Sequence, residues 1–180
     1  MENYIVESEN LQAQEGIALF LQKYLGGEIP IIVCIGTDAV IGDSLGPICG
    51  TLLINEPTNA IVYGSLAQPI TAKEVPHLAT FLNETHPYSK ILCIDAAVGD
   101  GEDLGLIKMF SSGINPGLGA NKKLPKIGDL SIISIVAKKQ NGNAQFFQNN
   151  RIGKIYHSAQ IIAKGIISYV ENAGKLKKIG

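Results

Sequence analysis

The sequence predicts an α/β domain, three-layered and doubly wound, with a mostly parallel sheet of about five strands. Three observations predict it. Short apolar runs rich in Ile and Val, at 31–35, 59–63, 90–95, 104–110 and 130–137, are interleaved with helical patterns. The first of these, Ile31-Ile32-Val33-Cys34-Ile35, is apolar at every position, which suits a strand covered on both faces. The chain of 180 residues, 46% hydrophobic, can bury a core of its own and has no linker, repeat or low-complexity tract to divide it. One domain over 1–180 is expected.

Taken in order, residues 10–25 place Leu11, Ile17, Phe20, Leu21 and Tyr24 on one helical stripe, ended by Gly26-Gly27. The strand at 31–35 stops at Gly36, a polar loop runs from Thr37 to Gly42, and a helix opens at Asp43-Ser44-Leu45-Gly46-Pro47. Asp43 and Ser44 are suited to an N-cap, and Pro47 is tolerated in a first helical turn. A second strand at 59–63 leaves at Gly64. Thr71-Ala-Lys-Glu74 has the form of a capping box, with a helix from there to about 84. The third strand, KILCID at 90–95, ends on an aspartate.

Strands at 104–110 and 130–137 enclose SSGINPGLGANKKLPKIGD, a connection with four glycines and two prolines. Compact domains seldom keep so long an irregular segment without a use for it. Asn141-Gly142 marks a turn. A long helix at 150–172 then offers Ile152, Ile155, Ala159, Ile162, Ile166 and Val170 to the core, with Gly174 as its stop and Lys175, Lys177 and Lys178 beyond it. Right-handed crossovers place the 31–35 strand centrally, flanked by the second and third. The loop after Ile35 and the end of the strand at Asp95 then meet at the switch point, where open α/β sheets bind ligands.

Composition narrows the partners. The formal net charge is -1 and Arg151 is the only arginine, so neither nucleic acid nor an anionic membrane is an expected partner. No apolar run approaches the ~20 residues that cross a bilayer, and the first residues lack the pattern of a secretory leader. A cytoplasmic location is expected. Cys34, Cys49 and Cys93 have neither metal-ligand nor disulfide spacing and read as buried free thiols.

Several familiar motifs fail. The 36–44 loop has Asp43 where a phosphate-binding loop needs lysine, and a carboxylate repels phosphate. There is no G-x-S-x-G elbow, and His77, His86 and His157 fall on helices or in a loop away from strand ends, leaving no Ser–His or Cys–His pair. What remains at the switch point is Asp43 and Asp95, with Asp38 nearby. Two close carboxylates cannot both ionise cheaply, so one keeps a proton. Such a pair can take a proton from water and give one to a leaving amine. Each aspartate also has a plain role, Asp43 as a helix cap and Asp95 as an acceptor of loop N–H groups.

Three blocks carry a resemblance: Gly36-Thr-Asp-Ala-Val-Ile-Gly-Asp43-Ser-Leu-Gly-Pro47, then Ile94-Asp95-Ala-Ala, then Ser112-Gly-Ile-Asn-Pro-Gly-Leu-Gly119. They resemble the bacterial spore germination protease, and more closely the small YyaC-type sporulation proteins, described as spore proteases. The likeness spans residues 31–137, with Leu124-Pro-Lys-Ile-Gly-Asp129-Leu agreeing with the smaller family. It implies a phosphorylase/hydrolase-like fold, shared with the hydrogenase-maturation endopeptidases, and a location in the forespore or spore interior. The two aspartates essential in the germination protease fall on Asp43 and Asp95.

Substrate contacts are expected from Asp38, Ser44, Gly113, Asn115, Gly117, Gly119 and Asn121. The glycines would let a substrate backbone come close. Lys122 and Lys123 would favour acidic substrates such as the small acid-soluble spore proteins. Two departures matter. The histidine that completes the nickel site of the hydrogenase endopeptidases is missing from 111–129, so nickel-dependent maturation is not expected. The DTGI of the germination protease is Ser111-Ser112-Gly113-Ile114 here.

The first expectation is a sporulation-associated peptidase with Asp43 and Asp95 as acid and base and no resident cofactor. A second is a degenerate site that binds a peptide or partner without cutting it, motivated by Ser111. A third gives Asp38, Asp43 and Asp95 a Mg²⁺ or Mn²⁺ ion through oxygen ligands. A two-fold homodimer is left open, since no heptad or isolated apolar patch decides it.

Overall fold

The structure is a computed structural model describing residues 3–116, 125–138 and 150–176. Its strands are β1 (Asn3–Glu7), β2 (Ile31–Cys34), β3 (Val62–Tyr63), β4 (Ile91–Gly99), β5 (Leu106–Phe110) and β6 (Leu130–Lys138). They form one six-stranded sheet in the order β1-β5-β6-β4-β2-β3. The parallel part runs β6-β4-β2-β3, while β5 is antiparallel to both β6 and β1. The 31–35 strand has β3 and β4 on either side of it as expected, but it lies second from the edge rather than centrally, because β6, β5 and β1 all add beyond β4.

The sheet has one strand more than expected, because β1 was not foreseen. Its apolar run is only Tyr4-Ile5-Val6, too short to signal a strand. Alternation explains it in place: Tyr4 and Val6 pack on the core, while Ile5 is 54% exposed. Also, β5 fills the β4-to-β6 connection by pairing on the far side of β6, where a helical crossover is the usual link.

The helices are α1 (Ala13–Leu25), α2 (Leu45–Ile54), α3 (Val75–Thr85) and α4 (Ile152–Leu176). Helices α1, α2 and α4 cover one sheet face, where Phe20, Leu21, Leu53, Ile162, Ile166 and Tyr169 meet Ile32, Leu92, Ile94 and Ile132. Burying each such large side chain contributes roughly 1.5–3 kcal/mol. On the other face, Val75 and Leu82 of α3 join Ile114 and Ile127 over Val33 and Cys93. Three layers result. All three cysteines are buried and free.

Four local expectations are corrected. Leu11, assigned to a core stripe, is 93% exposed, since α1 starts later, at Ala13. Ile152, at the first turn of α4, is 52% exposed, although Ile155, Ala159, Ile162, Ile166 and Val170 are buried as expected. Gly174 does not stop α4, which runs on to Leu176. The Thr71–Glu74 pairing forms, with the Thr71 N–H donating to Glu74 Oε2 at 2.9 Å, but as a turn preceding α3. Asn141-Gly142, Lys177 and Lys178 lie outside the described residues.

Candidate functional site

The site is built by the way β2 ends. Ile35 donates its N–H to the Ile94 carbonyl at 2.8 Å, the last tie between this segment and β4. Gly36 follows with φ 143°, a conformation open to glycine, and donates to the Ile70 carbonyl at 2.8 Å. The chain then closes on itself: the Thr37 N–H donates to the Asp43 carbonyl at 3.0 Å, and the Asp43 N–H to Val40 at 3.0 Å. A Cβ on Gly36 would collide with the Asp43 carbonyl, and one on Gly46 with the Ile35 carbonyl. Backbone contact at these two glycines thus seats a 3₁₀ turn, Ile41–Ser44, on the end of β2. That turn packs against β4, α2 and α4.

The N-cap expected of Asp43 and Ser44 is not made, because the 3₁₀ turn runs directly into α2 and its residues are already helical. The Ser44 hydroxyl donates instead to the Ile41 carbonyl at 2.6 Å, and Ser44 is buried. The Asp43 carboxylate is therefore not engaged as a helix cap.

Asp95 does not end its strand. β4 continues to Gly99, supported by β6, whereas β2 has stopped opposite Ile94. Leu92, Ile94 and Ala96 face the α1/α2/α4 layer and Cys93 faces the α3 layer, so alternation turns Asp95 toward the α3 side. Its Oδ1 accepts the Ala96 N–H at 2.8 Å. Asp43 and Asp95 are both half-buried. Burial pushes Asp43 up to about 6, opposed by the Thr37 N–H. Asp95 is pushed up to about 8 by burial first and by the charge of Asp43 second, with the Ala96 N–H opposing. Neither carboxylate is in an ion pair among the described residues.

A family described as "Protein of unknown function (DUF1256)" matches residues 5–165. The chain belongs to the DUF1256 family. It is similar to "Uncharacterized protein YyaC" of Bacillus subtilis (strain 168), 33% identical over 158 residues, 86% of this chain and 76% of that protein. The resemblance to YyaC-type proteins is thereby borne out. The DUF1256 match begins in β1 and ends within α4, so both aspartates lie inside it.

The other candidate residues of this DUF1256 chain are distributed unevenly. Asp38 is exposed on the loop. Among the described residues no three of His, Cys, Asp and Glu converge as a cation-binding group, so Asp38, Asp43 and Asp95 do not assemble as the expected ligand set. Gly113 and Asn115 belong to a segment that folds back beneath α3, where Ile114 pairs with Ile127. Gly113 lies against the carbonyls of Ile127 and Gly128, and Asn115 is exposed. Gly117, Gly119 and Asn121, with Lys122 and Lys123, lie outside the described residues.

Whereas Asp95 lies further along β4, Ser111 follows β5 at the end of the sheet where β4 and β6 begin. With Tyr24, Lys90, Asp129 and Leu130 it lines a cleft of about 260 Å³, where Lys90 and Asp129 form a 3.1 Å ion pair. Ser111 is thus no neighbour of Asp95. His86 bonds Tyr63 at 2.8 Å and His157 bonds the Ser8 carbonyl at 3.0 Å; both serve packing. The residues that sequence reasoning missed are Thr37 and Ala96. They act through backbone N–H groups, which leave no trace in residue type. No helix among the described residues is long and apolar enough to cross a membrane.

Proposed function

We propose that this chain is a peptidase-like hydrolase of sporulating bacteria, in which Asp43 and Asp95 divide the acid and base work of amide hydrolysis. Supporting it, Asp95 feels the charge of Asp43, and both half-buried carboxyls are pushed up, to about 8 and about 6, with no ion-pair partner among the described residues. At neutral pH Asp43 is then mainly ionised and Asp95 mainly protonated. Asp43 takes a proton from water as the water oxygen bonds to the amide carbon. Asp95 gives its proton to the amide nitrogen as the C–N bond breaks, leaving a carboxylic acid and an amine. Transfer of the proton from Asp43 to Asp95 restores the pair.

The sporulation context and the forespore location rest on the three-block resemblance, as does the substrate class, small acid-soluble spore proteins. Incubating purified protein with such a substrate and weighing the products by mass spectrometry tests the reading. Asp43→Asn and Asp95→Asn are each expected to slow cleavage by roughly 10²–10⁴-fold. Undiminished cleavage in either variant removes the mechanism. Stable capture of intact substrate with no turnover would instead favour the binding-only alternative, whose motive, Ser111 in place of aspartate, is weakened by the place of Ser111 at the end of the sheet where β4 and β6 begin.

A further inference from the structure

Beyond the proton chemistry lies the question of how a substrate is held. Strand β4 carries an answer in its second half. Up to Ile94 it is paired on both sides, with β2 and with β6. From Asp95 to Gly99 it is paired with β6 alone, and no described strand lies beside its other edge. The irregularity in this region falls on β6, where Ile135 and Ala137 oppose Ala97 and Val98 and leave Val136 as the extra residue, so β4 keeps its own alternation. Since the Ile94 carbonyl points toward β2 to accept from Ile35, the backbone groups of Ala96 and Val98 point the same way.

The Ala96 N–H, deprived of a ladder partner, is taken up by the Asp95 carboxylate. No backbone hydrogen bond from the 36–44 loop reaches residues 95–99, although its 3₁₀ turn packs beside β4. An unpaired strand edge is a template for another strand. Here it starts at Asp95, beside the 3₁₀ turn that carries Asp43, and Ile41 and Leu66, 39% and 43% exposed, stand on the loops that leave β2 and β3 at the same end.

We propose that the free edge of β4 from Asp95 to Gly99 binds the substrate, an extended polypeptide segment with apolar side chains, by adding it to the sheet as a strand. Main-chain hydrogen bonds then supply affinity and the alternating side chains supply selectivity. The proposal rests on the hydrolase reading only for what happens next, which is that a peptide bond laid along this edge passes Asp43 and Asp95. It also names a requirement, that the substrate segment be unfolded or readily unfolded.

The test uses the full chain carrying Asp43→Asn, so that binding is read without cleavage, and dephosphorylated β-casein, an unfolded polypeptide, as probe. Amide hydrogen exchange at Val98 is expected to slow about tenfold on addition of the probe, while amides of α1 stay unchanged. Val98→Pro deletes the outward N–H and spares the β6 side of the ladder, the placement at which an edge strand tolerates proline. It is expected to weaken probe binding about five- to tenfold, as for one lost hydrogen bond. Binding with no protection at Val98, or no binding of the probe, overturns the proposal, and the exchange measurement needs no β4 variant to fold. Protection at Val98 without cleavage by the wild-type chain sinks the hydrolase reading alone. Cleavage by the wild-type chain without protection at Val98 sinks the edge alone.

Discussion

Asp95 is a carboxyl group whose ionised form the fold opposes, and that opposition has a sign. Its folded value, about 8, and that of Asp43, about 6, both lie above the ordinary carboxylate value near 4. The folded state therefore holds these protons more tightly than the unfolded chain. The stability they contribute is full below about pH 4 and is lost as pH rises through 6 and then 8. Asp95→Asn, which cannot ionise, is expected to be more stable than wild type at pH 9 by up to roughly 5 kcal/mol, the gap narrowing toward pH 4. Urea unfolding at the two pH values checks it. Equal stability at pH 9 would show that Asp95 meets no charge penalty. Activity should follow a bell, rising with the ionisation of Asp43 near 6 and falling with that of Asp95 near 8, measurable as kcat/KM against pH. The positions of the two aspartates were legible in the sequence as acids near the carboxyl ends of apolar strands. Their protonation was not, since it depends on what encloses each and on backbone donors at Thr37 and Ala96.

At the scale of elements, the junction of β2 with α2 sets the site. Gly46 lets the first turn of α2 press against the Ile35 carbonyl, and Gly36 lets the loop close on Asp43. Gly46→Ala puts a methyl group into that carbonyl, a backbone group with no rotamer to give way. It is expected to cost about 3 kcal/mol, at the upper end for overpacking, and to shift the 3₁₀ turn that carries Asp43. Denaturant midpoints read the first effect, and loss of the acid limb of the pH profile reads the second. Wild-type stability in Gly46→Ala would mean that the helix lifts off freely. The strand, loop and helix of this junction were readable from an unbroken apolar run followed by Gly36 and Pro47. The 3₁₀ turn that displaces the N-cap was not, because Asp-Ser before a helix fits a cap in residue type and only the backbone path excludes it. The extension of β4 past Asp95 was likewise hidden. Ala96, Ala97 and Gly99 carry no strand signal, and it is β6 that holds them in the sheet.

The whole molecule is a sheet between two unequal layers, and the neighbours of β2 were legible because right-handed crossovers leave few ways to arrange β2, β3 and β4. Strands β6, β5 and β1 extend the sheet beyond β4 and leave β2 off-centre. The antiparallel β5 escaped, since a run such as Leu106–Phe110 reads the same in either direction. Whether the layers behave as one unit is open to a direct test with the thiols. Cys34 and Cys49 lie in the core beneath α1, α2 and α4, while Cys93 lies in the core beneath α3. Burial pushes the Cys34 and Cys93 thiols well up from their ordinary value, so thiolate is scarce in the folded state. All three are therefore expected to resist an aromatic disulfide reagent in native buffer and to react together in mild urea, at one rate that tracks global unfolding. The α3 core is the smaller, built around Val33, Val75, Leu82, Cys93, Ile114 and Ile127, and is the place where cooperativity would fail first. Labelling of Cys93 ahead of Cys34 and Cys49, followed by mass spectrometry of the separated peptides, would show that this layer opens alone. Because Asp95 faces the same layer two residues further along β4, that opening would also expose Asp95, and its rate would then limit how fast a substrate strand can reach the edge.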